Sequence, residues 1–293
     1  MYNKELKGSL FIIFAAFLWG TTGTTQGLAP AEANSAVIGT LRILIGGFIL
    51  FIIALAKNKK ISFSKIPIST TLLGVFAVAL YQISFFYGVK LAGVAIGTVV
   101  GIGSSPISAG LLSAIFLKEK LHRRWIISTF ISIMGLFFIS FSSIQVNYNF
   151  NIFGVFLAIT AGFSYALYTM ISKKLLEVLD NDTVMAILFL GGAVFLSPVL
   201  FFNDLSWVLT TRGLLVTLHL GLFTTALSYI FFIRGLNYIA VSKTATLSLT
   251  EPLTAAFLGI TILNEKPNIY SIIGIILIFI GIMILTFNLQ KNK

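Results

Sequence analysis

The chain divides into ten windows of about 20 residues, each almost free of charge, joined by breaks too short to hold a soluble domain. A window of about that length spans the hydrocarbon core of a bilayer as a helix. The windows are 8–28, 34–56, 66–89, 93–117, 125–144, 151–171, 183–202, 213–233, 239–263 and 269–289. Inside a bilayer every backbone N–H and C=O must be satisfied by the protein itself, so such windows fold as helices. The predicted fold class is an all-α integral membrane protein with ten transmembrane helices. Composition points the same way. Of 293 residues, 57% are hydrophobic and 10% charged, against roughly 25% charged in soluble domains.

The net charge of +11 has two explanations, nucleic-acid binding or cytoplasmic loops rich in Lys and Arg. Placement decides between them. With the N-terminus inside, only Lys90, Arg212 and Lys266 fall in external loops. Arg42 and Lys243 fall within spans, and every other Lys and Arg lies in a cytoplasmic segment. Topology thus accounts for the positive charge, puts both termini in the cytoplasm, and makes a nucleic-acid partner unnecessary. The chain has no Cys, which excludes disulfides, thiolate metal sites and Cys nucleophiles. Lys4 and Lys7, followed by an apolar run and "LAPAEA", also resemble a signal peptide; cleavage there would leave nine spans.

An internal repeat argues against that cleavage. With an offset of 146 residues, 85–120 lies over 231–266 without a gap. Phe85, Phe86, Thr98, Pro106, Ala109, Leu112, Leu117, Glu119 and Lys120 meet identical residues. The same offset pairs Gly8 with Gly154, Phe17 with Phe163 and Gly135 with Gly281, so the first window belongs to the repeat. The expected domains are residues 1–145, a first five-helix repeat, and 146–293, a second. Five is odd, so the second copy enters the membrane from the opposite side, as in inverted-repeat transporters. "KEKLHRR" after span 4 carries four cations and its counterpart "NEKPNIY" one, as loops facing opposite compartments should.

Two such halves, with "FLWGT" in span 1, "LRILIGG" in span 2, and a Pro in spans 4 and 9 followed by "LKEKL" or "LNEKP", resemble the EamA-type drug/metabolite transporters. The resemblance covers essentially the whole chain. It implies a central cavity between the halves, alternating access, and substrates such as amino acids, amines and other metabolites, often exported. It also implies that a basic residue at the position of Arg42 is common and serves architecture or gating.

Polar residues inside spans mark the candidate site, because they are costly there. Glu251 stands near the middle of span 9, before Pro252, and its repeat mate is Ser105, before Pro106. Each Pro removes a backbone donor and frees a carbonyl one turn earlier, so helix breaks are expected at Pro106 and Pro252, flanking a midplane site. Glu251 is read as a proton site or as counter-ion to a substrate amine; the alternative is a protonated acid at a helix contact. Lys243, eight residues earlier and on nearly the same face, would meet a substrate carboxylate or snorkel to water. Arg42 is structural or substrate-binding. The run "WGTTGTTQG" at 19–27 supplies Trp19, Thr21 and Gln26 to a cavity or helix contact, although Thr can also bond its own backbone. Tyr81, Gln82, Tyr165, Tyr168 and Tyr229 add aromatic and hydrogen-bonding walls, or anchor at the membrane interface. His219, alone within a span, reads as a packed residue or a functional one. Gly93, Gly97 and Gly101, at four-residue intervals, allow close helix packing; "GIGSSP" has no preceding strand to make it a phosphate loop.

No metalloprotease motif and no second intramembrane acid occur, so an enzyme is not expected. The expected function is a secondary transporter of a small amino acid or amine, an exporter in the bacterial plasma membrane, proton-coupled through Glu251. A membrane scaffold is the non-transport alternative, and an organic cation or drug the alternative substrate. Expected partners are the small-molecule substrate, membrane lipid and protons, with a homodimer left open; no cofactor and no metal are expected.

Overall fold

In a computed structural model, residues 2–58, 66–141, 151–262, 264 and 266–287 are described. The far ends of three expected spans, 142–144, 263 and 288–289, lie outside the described residues. Every regular element among the described residues is helical. The first five spans are α1 (Tyr2–Gly27), α2 (Ser35–Asn58), α3 (Ile68–Ala92), α4 (Val94–Phe116) and α5 (Arg123–Phe141). The second half begins with α6 (Ile152–Leu175) and α7 (Asn181–Leu196), the latter prolonged by the short α8 (Pro198–Phe201). Span 8 is α9 (Thr211–Gly221), a π-helical stretch (Leu222–Leu227) and α10 (Ser228–Tyr238). Span 9 is α11 (Val241–Leu247) and α12 (Thr250–Thr261), and span 10 is α13 (Ile269–Thr286). Nine helices among the described residues are long and apolar enough to cross a membrane; the tenth expected span is divided between α11 and α12.

Side chains at the starts of helices satisfy the N–H groups that a helix leaves unpaired. Asn151 accepts from Phe153 and Gly154, Asp180 from Asp182 and Thr183, Thr210 from Gly213, and Asn268 from Ser271.

Packing follows the 146-residue offset. α3 lies on α6, and α10 on α1; α4 lies on α6, and α12 on α1. α3 meets α7, while α2 meets α9 and the π stretch; α5 pairs with α13, and α2 with α7. Small residues let the backbones approach. A Cβ at Gly8 would stand 3.1 Å from Gly235 O, and one at Gly235 2.8 Å from Gly8 O. In the other half, a Cβ at Gly88 would stand 2.9 Å from Ala158 N, and one at Gly154 2.8 Å from Leu91 C. Gly8 and Gly154 are repeat mates, so the same crossing is built twice.

The two prolines behave differently, which corrects the expectation of a break at both. α4 runs unbroken through Pro106. The carbonyl that Pro106 deprives of its donor is that of Ile102, and the Ser105 hydroxyl donates to it at 2.7 Å. A hydroxyl one residue before the proline thus replaces the missing N–H. In the second half that position is Glu251, which has no hydroxyl. There the chain leaves the helix at Ser248–Leu249, with Leu249 N donating to Thr246 O at 3.1 Å and Glu251 N to Ser248 O at 2.9 Å, before α12 resumes.

After spans 4 and 9 the chain turns through matched left-handed residues, Lys118 (φ 55) and Asn264 (φ 56). Asn tolerates this conformation, whereas Lys adopts it at a cost of about 1–3 kcal/mol.

Candidate functional site

A cavity lies where α1, α2, α3, α6, α10 and α12 converge. It is lined by Trp19, Thr22, Gln26, Arg42, Tyr81, Gln82, Phe85, Phe86, Tyr165, Tyr229 and Glu251. Thr22 and Gln26 are in the last turns of α1, Arg42 is early in α2, and Gln82, Phe85 and Phe86 are in the second half of α3. The cavity therefore lies toward the end of the bundle where α1 stops and α2 begins, opposite the N-terminus. On that side Gly23 and Gly27 face open space.

Local chain geometry places each group. The break before α12 brings Glu251 to the cavity, and α1 comes so close there that a Cβ on Gly20 would stand 2.7 Å from Glu251 O. Phe86 packs against Gly39 of α2, three residues before Arg42. Trp19 is held by a hydrogen bond from its Nε1 to Ser228 Oγ at 2.9 Å. Its ring lies 5.1 Å from that of Tyr229 and edge-on to that of Tyr165 at 6.4 Å. The Tyr165 hydroxyl lies 2.7 Å from Ser248 Oγ, so α6 is pinned to the break in span 9. The Tyr229 hydroxyl lies 3.1 Å from that of Tyr168.

Charge and unmet hydrogen bonds make this more than a packing defect. Arg42 is 9% exposed, and its Nε has no hydrogen-bond partner among the described residues. Thr22 Oγ1 is likewise buried and unpaired. Leaving buried donors unsatisfied costs about 1–3 kcal/mol each, more when charged. The cavity thus holds one guanidinium, one carboxyl, two amides and aromatic walls, with donors left unoccupied.

Eight of the expected residues meet here: Trp19, Gln26, Arg42, Tyr81, Gln82, Tyr165, Tyr229 and Glu251. Four stand elsewhere. Lys243 lies beyond the helix break, and its Nζ pairs with Glu5 Oε1 at 2.8 Å near the N-terminus of α1. That ion pair holds Lys243 at the far end of α1, and Arg42 is the cation that lines the cavity instead. Thr21 donates to Leu18 O at 2.8 Å and lies 3.0 Å from His219 Nε2. Ser105 is bonded to its own helix. Tyr168 sits behind the wall, 1% exposed, against Tyr229. Thr22, Phe85 and Phe86 complete the lining. Thr22 lay within the polar run, and the Phe pair stood out only as a repeat match.

The cavity is one-sided with respect to the repeat. Thr22 and Gln26 line it, while their mates Tyr168 and Ser172 are 1% and 0% exposed. Arg42, Gln82 and Phe86 line it, while Leu188, Ser228 and Phe232 are each 0% exposed. Only Tyr165, the mate of Trp19, also reaches the cavity.

A bundle of membrane-length helices around a polar cavity is the architecture of a multi-pass membrane transporter. The model of the EamA-like transporter family matches residues 6–141 and again 152–287, and the chain belongs to this family. It is 38% identical over 287 residues to YwfM of Bacillus subtilis, described as an uncharacterized transporter, covering 97% of this chain and 95% of that protein. An uncharacterized transporter of Clostridium kluyveri is 26% identical, over 98% of this chain and 94% of its own length. A solved crystal structure with 20% identity matches the fold with a TM-score of 0.82, over 94% of this chain and 95% of that one.

Proposed function

We propose that the chain is a secondary transporter of a small zwitterionic or amine metabolite, working by alternating access between two inverted five-helix halves. The observation that carries this is that Arg42 and Glu251 line one and the same cavity. A free amino acid presents a carboxylate and an ammonium a few ångströms apart. The carboxylate meets Arg42, whose planar donor fork suits that group, and the ammonium meets Glu251. Trp19, Tyr165 and Tyr229 offer faces to an apolar side chain or to the cation. Glu251 is the one intramembrane acid of this cavity, and so the group that exchanges protons with substrate or solvent. The excess of Lys and Arg in alternate loops supports cytoplasmic termini, and a bacterial plasma membrane suits relatives such as that of Bacillus subtilis. Export is the direction that the family resemblance favours.

The test is a metabolite panel in proteoliposomes, with and without an imposed pH gradient. Amino acids should be carried faster than the matching amines and much faster than the matching carboxylic acids, and the gradient should change the rate. Amines carried as well as amino acids would move the assignment to organic cations. No transport of any panel member, by protein that remains monodisperse, would favour a scaffold.

A further inference from the structure

Polar ties join helices at both ends of the bundle: at the cavity end Arg212 donates to Leu28 O and Asn34 to Asn203, and at the end that holds the N-terminus there are more. Lys57 pairs with Asp182, Lys243 with Glu5, and Asn237 donates to Asn181. Lys173 donates to the carbonyls of Leu236 and Ile239. Most of these join helix ends within or between halves by single contacts. One is more elaborate. Glu119, in the loop after α4, accepts from Val241 N at 2.9 Å, from Ser242 Oγ at 3.2 Å and from Ser242 N at 3.4 Å. It therefore caps the first turn of α11, whose own N-cap residue, Ala240, has no side chain for the task. Trp125 Nε1 closes the same turn from the other side, donating to Ser242 O at 2.9 Å. The loop that carries Glu119 is itself fixed, since Glu119 N donates to Ser113 O at 3.1 Å past the left-handed Lys118.

We infer that Glu119 is the latch of a second, closed entrance to the transport path, leading to a latent cavity lined by Tyr168, Ser172 and Ser228. This rests on the alternating-access function proposed above. These three residues are the repeat mates of Thr22, Gln26 and Gln82, which line the open cavity. They are hydroxyl-bearing in the interior of a membrane bundle, yet each is at most 1% exposed. When the two halves exchange conformations, they take the roles that Thr22, Gln26 and Gln82 hold here. α11 packs on α4 as the first segment of the broken span and joins α12 through Ser248–Leu249, where Tyr165 holds it in the present conformation. The carboxylate of Glu119 holds its N-terminal turn against α4, so opening must break the three Glu119 contacts and re-solvate the freed N–H groups.

The chain has no Cys, so single cysteines report access cleanly. Ser172→Cys probes the latent cavity and Thr22→Cys the open one, each in the unsubstituted, Glu119→Gln and Glu119→Ala backgrounds. Labelling by a maleimide is followed in right-side-out and inside-out membranes. Ser172→Cys should label slowly in the parent. It should label about tenfold faster with Glu119→Ala, which corresponds to loss of one charge-assisted hydrogen bond's worth of bias, ~1.4 kcal/mol, and to an intermediate extent with Glu119→Gln. Thr22→Cys labelling should not rise, because a minor conformation that grows tenfold takes only a small share from the dominant one. If Glu119→Ala does not fold, Glu119→Gln decides by the same two rates. Unchanged Ser172→Cys reactivity would overturn the latch, and so would a rise at both positions, which signifies general loosening. Labelling needs no substrate, so an inactive panel in the transport assay leaves this test standing on its own.

Discussion

The helix around Pro106 offers the sharpest check on how these spans were built. Pro106 leaves Ile102 O without its i+4 donor, and Ser105 supplies one at 2.7 Å from a position 5% exposed. Ser105→Ala removes that donor and strands a carbonyl in a dry helix bundle. An unsatisfied buried acceptor costs about 1–3 kcal/mol, and hydrogen bonds within membranes measure toward the low end; about 1 kcal/mol of destabilisation is expected. Pro106→Ala restores the backbone N–H to the same carbonyl. In that background Ser105→Ala should cost close to nothing, and the cycle should show a coupling of about 1 kcal/mol, above the scatter of about 0.3–0.5 kcal/mol for independent sites. Reversible unfolding in mixed micelles, followed by tryptophan fluorescence, measures all four proteins. An equal cost of Ser105→Ala in both backgrounds would refute the substitution of hydroxyl for N–H. The unbroken course of α4 would then need another cause.

Three further outcomes bear on the site. Glu251→Gln keeps size and hydrogen bonding but cannot ionise; it should abolish transport driven by a pH gradient while leaving the protein folded, and retained proton-driven transport would remove Glu251 as the coupling group. Arg42→Met should weaken amino-acid binding by at least about tenfold, as loss of a charged hydrogen bond does, and should affect the matching amine much less, read by substrate protection against heat. Lys243→Met, which removes only the ion pair with a half-exposed Glu5, should change that binding less than threefold; a larger effect would return Lys243 to the substrate path.

Much of this protein was legible in its sequence because the bilayer imposes simple rules. Window length and backbone satisfaction specify the spans. Nine of the ten are helices of membrane length among the described residues, and the family match repeats with the offset of 146 residues that the Phe-Phe, Pro and Glu-Lys pairs had shown. Glu251 and the polar run of α1 stood out because polarity is expensive there. What tertiary structure decided is which polar groups meet. Lys243 is taken by Glu5, a partner 238 positions away in the sequence, and so does not join Glu251. Arg42 reached the cavity from α2, Thr22 rather than Thr21 turned inward, and Phe85–Phe86 became wall. Helical period gives directions relative to one axis, but the convergence of six helices depends on crossings that Gly8, Gly88, Gly154 and Gly235 permit, and on the order in which two similar halves close. Contacts such as that of Glu119 with Val241 join residues more than a hundred positions apart, and no local pattern in the sequence announces them.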